Sequence, residues 1–548
     1  MKRYSLFCLL TAATIFLGGC SGGTSVPENS ETSISDEVTS SNEHIILDDA
    51  LAPAGVQTGN SCVFYEIFVG SFSDSNGDGI GDIRGITERF DYINDGDPTS
   101  GKSLGAEGIW LTPIFSSPSY HKYDVADYYS IDEQFGTMED LQELISLCHE
   151  RDVKIILDLP INHTSDRNAW FTEFAAARKN NDTESEYYDF YSVSDSVSSD
   201  GRVFSQISGT DAYYECNFSG DMPELNFDNA AVVQAVTDVA EYYLDMGVDG
   251  FRFDAAKYIF LGEEERNIDF WNSYIGALRE KNSGIFTVAE VWAHDSITLP
   301  YFSATSCFNF SMSQLSGQVA AAAKGGDVNS YTAYVQQYLS DIRSQNSSAI
   351  MIPFIANHDM DRAAGFLSVA SGEAKMAANL YLLLPGAPFI YYGEEIGMKG
   401  SRGSANTDAN RRLAMLWGDG DTVADPEGTT YTADKQINGT VSAQLLDENS
   451  LFNHYKKLLM IRKAYPEIAL GNYEALQFTD TKLGGAVSTY NGSCVAVIHN
   501  TTAESITVDL HTATEIPFSD IRTTIGSGSA VLDGTMLTLD AQTSVILK

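Results

Sequence analysis

From residue 62 onward, short apolar segments alternate with longer segments in which apolar residues recur at helical spacing. Eight apolar segments are candidate strands: "CVFYEIFV", "GIWLTPI", "KIILDLPI", "GFRFDA", "IFTVAEVW", "CFNFSM", "AIMIPFIA" and "APFIYY". The segments between them, such as 231–247, have the period of an amphipathic helix, and this one stops at Gly247. Alternating strands and helices are typical of a parallel sheet covered by helices. Eight such units over about 400 residues predict an α/β fold, a (β/α)8 TIM barrel.

Two regions depart from this alternation and predict further domains. Residues 164–228, after the third candidate strand, are polar and rich in Tyr and Ser, so we expect an inserted domain B there. After residue 468 the chain changes to short alternating segments such as "GAVSTY", "CVAVIHN" and "SITVDL". This pattern predicts a C-terminal antiparallel β-sandwich, domain C, over 469–548. The barrel, domain A, is then predicted over 59–163 and 229–468.

The N-terminus has the features of an export signal. Lys2 and Arg3 precede an apolar segment that is too short to span a bilayer, and small residues follow. The "LGGC" at its end resembles the bacterial lipoprotein box, which implies a signal peptide over 1–19 and a lipid on the sulfur of Cys20. An ordinary signal peptide with an incidental cysteine is the alternative. Residues 20–58 are predicted to be a flexible tether, so we expect a lipid-anchored protein on the bacterial cell surface.

The composition narrows the possible partners. The formal net charge of -42 would repel nucleic acid and anionic membrane surfaces, but it leaves association with a neutral ligand largely unaffected. We therefore expect no nucleic-acid partner and no membrane contact other than the lipid anchor. Solubility is the favoured explanation of the charge, and adaptation to high salt is the alternative. With 43% apolar and 20% charged residues, the chain can bury a large core.

The cysteines fit neither a disulfide framework nor a metal site. Apart from Cys8 and Cys20, five are scattered along the chain without metal-ligand spacing: Cys62, Cys148, Cys216, Cys307 and Cys494. Because this number is odd, at least one should be a free thiol. Cys148 lies on the apolar side of "MEDLQELISLCHE", where buried packing is favoured over catalysis.

Polar residues follow the candidate strands at their C-terminal ends, where the active site of such a barrel lies. These ends carry Asp158, Asn162, His163, Arg252, Asp254, Glu290, Asn357, His358 and Asp359. One acid at a strand end is usually a helix cap or a turn residue, but this explanation is poor for all of these positions together. The sequence therefore predicts several carboxylates that converge at one mouth of the barrel.

This set of residues suits glycosidic cleavage. It contains several acids, an arginine and two histidines, and no serine or cysteine nucleophile on a sharp turn. One carboxylate attacks or stabilises the anomeric carbon, and a second donates a proton to the leaving oxygen. In "GVDGFRFDAA", Arg252 and Asp254 fall on the same face of a strand that should be apolar. We expect Arg252 to lower the pKa of Asp254 and to fix its direction, which is useful for a nucleophile. A buried ion pair kept only for packing is the weaker explanation, since such pairs often add little stability.

Several segments resemble the signature regions of the α-amylase family of glycoside hydrolases. Four of them occur in family order and fall on predicted strands: "DLPINH" (158–163), "GFRFDAAKY" (250–258), "TVAEVW" (287–292) and "FIANHD" (354–359). "MPELN" (222–226) and "GAPFIYYGEEIGM" (386–398) resemble two further signatures. The resemblance covers about residues 60–548 and implies the barrel, domain B and the C-terminal β domain.

The resemblance implies a role for individual residues. Asp254 would be the nucleophile, Glu290 the general acid and base, and Asp359 the carboxylate that binds sugar hydroxyls in the transition state. The residues that would bind the substrate are His121, Tyr123, His163, Arg252, Lys257 and His358. Tyr123 would stack on the sugar before the scissile bond. Because the family retains anomeric configuration, Asp254 and Glu290 should lie at the short separation of a nucleophile and acid pair.

Some positions differ from common family members. Lys122 stands where many relatives have Gly before the stacking tyrosine, and Tyr258 follows Lys257 where His is common. Glu224 in "MPELN" replaces the Asp of a group intermediate between oligo-1,6-glucosidases and neopullulanases, which includes lipoprotein α-amylases. Ala255, directly after the nucleophile, resembles enzymes that cut α-1,4 bonds.

The resemblance implies an α-amylase-like enzyme whose partner is an α-glucan, and we expect it to be a monomer. We expect it to hydrolyse α-1,4-glucosidic bonds in starch, maltodextrins or malto-oligosaccharides by a retaining double displacement. An exo-acting α-glucosidase or oligo-1,6-glucosidase of the same family is the alternative. A glycan-binding lipoprotein without activity is a further alternative, which the intact set of acids disfavours.

The segment "DSNGDGIGD", residues 74–82, predicts a calcium site in the loop after the first strand. The side chains of Asp74, Asn76, Asp78 and Asp82 and the carbonyl of Ile80 offer hard oxygen ligands, which suit Ca²⁺. The segment begins like an EF-hand loop, but its twelfth position is Gly85 rather than Glu, so a helical calcium sensor is excluded. A polar turn without metal is the alternative. The resemblance favours the metal, since a similar loop holds structural Ca²⁺ in related members of the family.

Overall fold

The computed structural model describes residues 59–98, 100–199, 201–435 and 439–548. The predicted signal peptide and the whole predicted tether, including Cys20, lie outside these ranges. Within them, no helix is both long enough and apolar enough to cross a membrane. The strands up to the last one of the barrel are β1 (Phe64–Ile67), β2 (Gly108–Leu111), β3 (Phe115–Ser116), β4 (Asp127–Ile131), β5 (Lys154–Leu159), β6 (Val193–Ser194), β7 (Ser198–Ser199), β8 (Arg202–Gln206), β9 (Tyr213–Glu215), β10 (Gly250–Phe253), β11 (Phe286–Ala289), β12 (Ser306–Cys307) and β13 (Phe389–Tyr391).

Seven of these strands form one parallel sheet in the order β12-β11-β10-β5-β2-β1-β13. Residues of β1, β2, β10 and β11 are buried throughout, as expected for strands covered on both faces. Gly250 begins β10 because a side chain does not fit there. An added Cβ would lie 1.8 Å from the carbonyl oxygen of Phe286 on β11.

The remaining wall of the barrel is formed by residues 351–353, which are not a regular strand. Ile352 forms a single parallel bridge to Phe308. On the other side, the N–H groups of Ala387 and Phe389 donate to the carbonyls of Met351 at 2.9 Å and Pro353 at 3.0 Å. The prediction of a regular strand at "AIMIPFIA" is therefore wrong. Pro353 has no N–H to donate to the hydrogen-bond ladder of the sheet.

The predicted sixth strand is also shorter than the sequence suggests. In "CFNFSM" only Cys307 belongs to a strand, and a 3-10 helix follows at Phe310–Met312. Eight chain segments still surround the barrel, which confirms the predicted α/β barrel architecture.

Helices cover the sheet. They are α1 (Ile83–Glu88), α2 (Phe90–Ile93), α3 (Met138–Glu150), α4 (Ala169–Asn180), α5 (Ala230–Met246), α6 (Glu264–Lys281), α7 (Asp295–Thr298), α8 (Gln318–Ala323), α9 (Val328–Gln345), α10 (Glu373–Leu382), α11 (Val441–Leu445), α12 (Leu451–Ala464) and α13 (Pro466–Leu470). A capping box of Thr137 and Asp140 starts α3, and Gly247, in the left-handed conformation, ends α5 as the sequence indicates. Cys148 of α3 is fully buried, in agreement with a packing role.

Residues 164–228 contain α4 and a four-stranded antiparallel sheet in the order β6-β9-β8-β7. This insertion returns to the barrel beside the end of β5. The N–H of Leu225 donates to the carbonyl of Asn162 at 3.0 Å, and His163 and Glu224 form an antiparallel bridge. The "MPELN" segment therefore lies next to a predicted substrate residue, His163.

The C-terminal region folds as two antiparallel sheets around a core of its own. Its strands are β14 (Asn472–Leu476), β15 (Leu483–Tyr490), β16 (Ser493–Asn500), β17 (Ile506–Asp509), β18 (Ile521–Gly526), β19 (Ala530–Asp533), β20 (Met536–Leu539) and β21 (Thr543–Leu547). They form a five-stranded sheet, β14-β15-β16-β21-β18, and a three-stranded sheet, β17-β20-β19. Apolar residues such as Leu483, Ile498 and Leu539 fill this core, as the alternating pattern predicts. The cysteines of the described chain are all free thiols.

Candidate active site

One buried guanidinium holds three carboxylates together where the barrel strands end. Arg252 of β10 lies beside Asp158 of β5, its partner in the register of the sheet. Its Nη1 donates to Asp158 at 2.8 and 3.0 Å and to Asp254 at 2.7 Å. Its Nη2 donates to Glu290 at 2.7 Å. The structure thus brings the predicted nucleophile and the predicted acid to the same side chain.

The alternation of β10 explains why Arg252 and Asp254 share a face. Phe253 between them packs in the opposite direction, against the rings of Trp271 and Tyr274 on α6. Arg252 is fully buried, and its guanidinium also lies 5.3 Å from the ring centre of Trp110. Burying this charge is unfavourable unless charged partners compensate, and three carboxylates provide that compensation.

A second charged group surrounds His358. Its Nδ1 donates to Glu66 of β1 at 2.5 Å, and its Nε2 lies 3.1 Å from Asp359. The other oxygen of Asp359 accepts from Arg412 at 2.7 Å. Glu66 and His358 are almost completely buried, whereas the side chain of Asp359 is 29% exposed. Asp359 is therefore fixed by two cations and still open to a ligand.

Tyr123 connects these two groups. Its hydroxyl donates to Asp158 at 2.8 Å and lies 2.7 Å from Nε2 of His358. The two rings are stacked, with centroids 5.5 Å apart and planes at 17°. The predicted substrate residues Tyr123, Arg252 and His358 therefore form one continuous surface with the three predicted catalytic acids.

Two further histidines line the same region. His121 accepts from the N–H of Tyr123 through Nδ1 at 3.2 Å, and burial and the charge of Arg412 lower its pKa to about 4. His163 is buried, and neither ring nitrogen has a hydrogen-bond partner in the described structure. Burial lowers the pKa of His163 to about 4, so both histidines are neutral at neutral pH. A neutral imidazole with free nitrogens can donate to one hydroxyl and accept from another.

Lys257 lies farther along the rim. Its Nζ donates to the carbonyl of Trp292 at 3.0 Å and lies 5.3 Å from the ring centre of Tyr258. Trp292 follows Glu290 by two residues, is 40% exposed and stacks on Phe310. Lys257 therefore lies next to the segment that follows Glu290, but it is not part of the group of carboxylates around Arg252.

Burial raises the pKa values of two of the carboxyl groups, those of Glu290 and Asp254. Burial, with the charges of Asp254 and Asp359, raises the pKa of Glu290 to about 7, although Arg252 opposes this rise. Burial also raises the pKa of Asp254 above its ordinary value, and the attraction of Arg252 does not offset it. Arg252 does lower the pKa of Asp254, as expected, but desolvation in the barrel mouth is the larger effect and the net pKa is raised.

Asp359 behaves in the opposite way. Burial on its own disfavours the charged form, but His358 and Arg412 outweigh it and hold the pKa of Asp359 well below its usual value. Burial likewise opposes the charge of His358, yet Asp359 and Glu66 raise its pKa to about 10. This pair is therefore an ionised carboxylate beside a cationic imidazole throughout the neutral range.

The residue after Asp254 is conformationally strained. Ala255 has φ 51°, in the left-handed region that non-glycine residues seldom occupy. Its N–H points to Oε2 of Glu290 at 3.3 Å, and the next N–H donates to the carbonyl of Glu290 at 3.1 Å. The backbone turn after β10 thus contacts the predicted acid directly, and strain of this kind is concentrated at functional sites.

The predicted calcium loop fits a metal only in part. Asp74 accepts from the N–H groups of Asn76, Gly77 and Gly79 and from the hydroxyl of Thr422, which uses all of its acceptor positions. Asp82 caps α1 and accepts from Gly85 at 2.6 Å and Ser75 at 2.9 Å. Asn76 and Asp78 each accept one bond, from Asp78 at 2.9 Å and Ile80 at 2.8 Å, and keep free acceptor positions. In the described part of the chain, no three His, Cys, Asp or Glu side chains are grouped to hold a metal.

Sequence reasoning missed two charged residues of this site. Glu66 is the only charged residue of "CVFYEIFV", and a lone acid in a fully buried strand is the signal that could have found it. Arg412 follows the short helix after β13, and no local pattern marks it. It also donates to the hydroxyl of Tyr120 at 3.1 Å and to the carbonyl of His358 at 3.1 Å.

Comparisons with known proteins agree with this arrangement. Residues 66–471 match the family described as "Alpha amylase, catalytic domain". The chain is 35% identical to "Alpha-amylase 3" of Dictyoglomus thermophilum over 448 residues, which cover 80% of this chain and 84% of that protein. It is 30% identical to an "Oligo-1,6-glucosidase" of Bacillus cereus over 538 residues, which cover 84% of this chain and 93% of that protein.

Solved structures agree as well. "Eubacterium rectale Amy13B" superposes with a TM-score of 0.83 at 34% identity, and the match covers 90% of this chain and 96% of that chain. The family match spans more than half of the residues, and it includes every strand that contributes to the barrel mouth except the first two residues of β1. The chain therefore belongs to the α-amylase family of glycoside hydrolases.

Proposed function

We propose that this enzyme hydrolyses α-1,4-glucosidic bonds in starch, maltodextrins or malto-oligosaccharides with retention of configuration. One observation carries the proposal: a single guanidinium, that of Arg252, contacts both Asp254 and Glu290 at 2.7 Å. Two carboxylates that share one planar group must be close neighbours. Close carboxylates are the arrangement of a nucleophile and an acid in retaining enzymes, whereas inverting enzymes leave room for a water between them.

In the first step, Asp254 attacks the anomeric carbon while Glu290 gives its proton to the leaving oxygen, so the glycosidic bond breaks as the ester bond forms. A pKa of about 7 keeps Glu290 protonated in mildly acidic solution, as this step requires. In the second step, water attacks the anomeric carbon and loses a proton to Glu290 as the bond to Asp254 breaks, which frees the carboxylate of Asp254. Because the charge of Asp254 contributes to the raised pKa of Glu290, forming the ester lowers that pKa and favours its role as a base.

The electrostatics of the site favour a cationic transition state. Asp254 and Asp359 each raise the pKa of Glu290, and Asp158 and Asp359 raise that of Asp254, so the carboxylates repel one another. Positive charge on the sugar ring in the oxocarbenium-like transition state relieves this repulsion. Asp359, ionised beside His358 and Arg412, is placed to accept hydrogen bonds from sugar hydroxyls.

The substrate is a neutral carbohydrate. The free nitrogens of His163 and the open side of Asp359 suit hydroxyl groups, and the exposed rings of Trp292 and Phe218 at the rim suit the apolar faces of sugars. The "Alpha-amylase 3" relative and Ala255 after the nucleophile support the α-1,4 preference. We propose that the enzyme acts as a monomer.

A second candidate is an exo-acting α-glucosidase or oligo-1,6-glucosidase. The relative from Bacillus cereus with that name, which matches over most of both chains, favours it. A glycan-binding protein without activity is disfavoured, because all three predicted catalytic acids are present and Asp254 and Glu290 share Arg252.

The proposal is tested by incubating the enzyme with starch, malto-oligosaccharides, isomalto-oligosaccharides and p-nitrophenyl α-glucoside. We expect short malto-oligosaccharides from starch, and NMR should detect the α-anomer before mutarotation. Glucose released only from chain ends or from α-1,6 bonds would favour the second candidate. The β-anomer as first product would refute the retaining mechanism.

We further propose that the enzyme is held at the cell surface by a lipid on Cys20. The support is the "LGGC" sequence and the polar segment 20–58, which is long enough to separate the anchor from the barrel.

We also propose that the loop 74–82 binds a structural Ca²⁺. The free oxygens of Asn76 and Asp78 and the carbonyl of Ile80 support this, and the ion would neutralise carboxylates that lie close together in one loop. The chemistry of the reaction requires nothing from this ion.

A further inference from the structure

We propose that Lys122 is a positioning residue, whose buried ion pair with Asp132 holds the turn that places Tyr123 against His358. The inference rests on the proposed function, in which Tyr123 contacts the sugar at the cleaved bond. Lys122 itself is 2% exposed, so it acts through its neighbours and not by touching the substrate.

The backbone at Lys122 is in an unfavourable conformation. Its φ is 64°, in the left-handed region where side chains other than Gly, Asn and Asp are uncommon. The strained residue lies directly between His121 and Tyr123, which both belong to the predicted substrate site. Strain persists only where the surrounding structure enforces it, and at functional sites it sets the geometry of neighbouring groups.

The side chain supplies the enforcing contacts. Nζ of Lys122 lies 3.0 Å from Asp132 and donates to Gln134 at 2.8 Å. It also lies 5.3 Å from the ring centre of Phe135. The two charged side chains are only 3% and 7% exposed, so solvent screens their attraction little. A buried ammonium is unfavourable unless it is paired, and this one has both a counter-charge and an amide acceptor.

The same carboxylate fixes the other end of the loop. Oδ2 of Asp132 accepts from the N–H of Ser117 at 3.0 Å, while Lys122 approaches the same oxygen. Within the loop, the hydroxyl of Ser119 accepts from the N–H of Lys122 at 3.2 Å. The turn 117–123 is thus attached to Asp132 at its start and at the residue before Tyr123.

Tyr123 depends on this attachment because its useful contacts are directional. Its ring is stacked on His358, and its hydroxyl bonds Asp158 at 2.8 Å. A rotation of the backbone at Lys122 would turn the ring away from both partners. Displacements of about 1 Å at positioning groups can lower rates by up to about a hundredfold.

The test is a double-mutant cycle between Lys122 and Tyr123, read as kcat/KM on a malto-oligosaccharide and on p-nitrophenyl maltoside. K122M keeps an unbranched side chain of similar length and removes the ammonium. We expect K122M to lower kcat/KM about tenfold or more in the wild-type background, but less than about twofold in Y123A. K281M is the matched control, because Lys281 pairs with Asp245 at 2.8 Å on the surface, and its loss should leave kcat/KM unchanged.

D132N should reproduce the loss and the same dependence on Tyr123, since it removes the counter-charge and keeps the shape. If K122M does not fold, judged by circular dichroism and thermal melting, K122G replaces it, because glycine accepts the left-handed angle without strain. Equal losses in both backgrounds would assign Lys122 a general structural role and overturn the inference. So would full activity of K122M and D132N. A wild-type enzyme inactive on all glucans would instead overturn the proposed function.

Discussion

The decline of activity at high pH should result from deprotonation of Glu290. The E290Q variant should therefore lack this decline. The pKa of Glu290 is raised from its ordinary value to about 7 by burial, with the neighbouring carboxylates adding to the effect. Because the proton must be present for the leaving group to depart, the contribution of Glu290 is complete below this pKa, and activity is lost as the pH rises through it. At pH 9, about two units above the pKa, about one molecule in a hundred retains the proton, so kcat/KM should fall about a hundredfold.

On the acid side the expected direction is also set by burial. Asp254 must be ionised to attack, and its pKa lies above the ordinary value for an aspartate. The acid limb should therefore lie at higher pH than an exposed aspartate would give, and the two limbs together should produce a narrow bell.

The assay is the pH dependence of kcat/KM for a malto-oligosaccharide and for p-nitrophenyl maltoside, in wild type and E290Q. Loss of the general acid should lower kcat/KM on the natural glucan by about a hundredfold to ten-thousandfold, and by much less on the activated substrate, which needs no protonation. E265Q is the matched control, since Glu265 is exposed on α6. An alkaline limb that persists at the same pH in E290Q, or equal losses on both substrates, would refute the assignment.

Three further predictions concern the nucleophile, the anchor and the metal loop. D254A should abolish turnover yet leave maltodextrin binding and the melting temperature nearly unchanged, since Arg252 keeps Asp158 and Glu290 as partners. Calorimetry and melting curves check this, and activity above a few per cent of wild type would contradict it. C20A should move the protein from the membrane fraction to the soluble fraction with unchanged specific activity, as measured by fractionation, and continued membrane association would exclude Cys20 as the anchor. A chelator should lower the melting temperature by several degrees, Ca²⁺ should restore it, and D78A should abolish this response; a melting curve indifferent to both reagents would show that the loop is only a polar turn.

The sequence predicts the parts of this structure that depend on local pattern. Arg252 and Asp254 share a face because strand residues alternate, and the end of a barrel strand fixes where Glu290 lies. The capping residue Gly247 and the buried side of α3 follow from helical period in the same way. These features can be predicted from the periodicity of one helix or strand and from the residues next to it in the chain.

Other parts depend on contacts between distant segments and could not be derived from local pattern. Arg412 reaches Asp359 and Tyr120 from a loop that lies beyond the last barrel strand. The apolar segment 349–356 has the pattern of a strand. It is irregular in the structure because of Pro353 and of its contacts with residues 308 and 389. The raised pKa of Asp254 is a property of the closed barrel mouth, because burial there outweighs the adjacent arginine.

The irregular wall at 351–353 has a consequence for the motions of the enzyme. Along this part of the barrel the chain forms a single bridge to Phe308 and accepts backbone bonds from Asn309, Ala387 and Phe389, but Pro353 contributes no amide hydrogen. Local opening starts where the fewest backbone bonds must break, so amide exchange should be faster here than in β2 or β10, each flanked by two strands. His358 and Asp359 follow this wall directly. A bound sugar that contacts Asp359 should therefore slow amide exchange in the irregular segment 351–353.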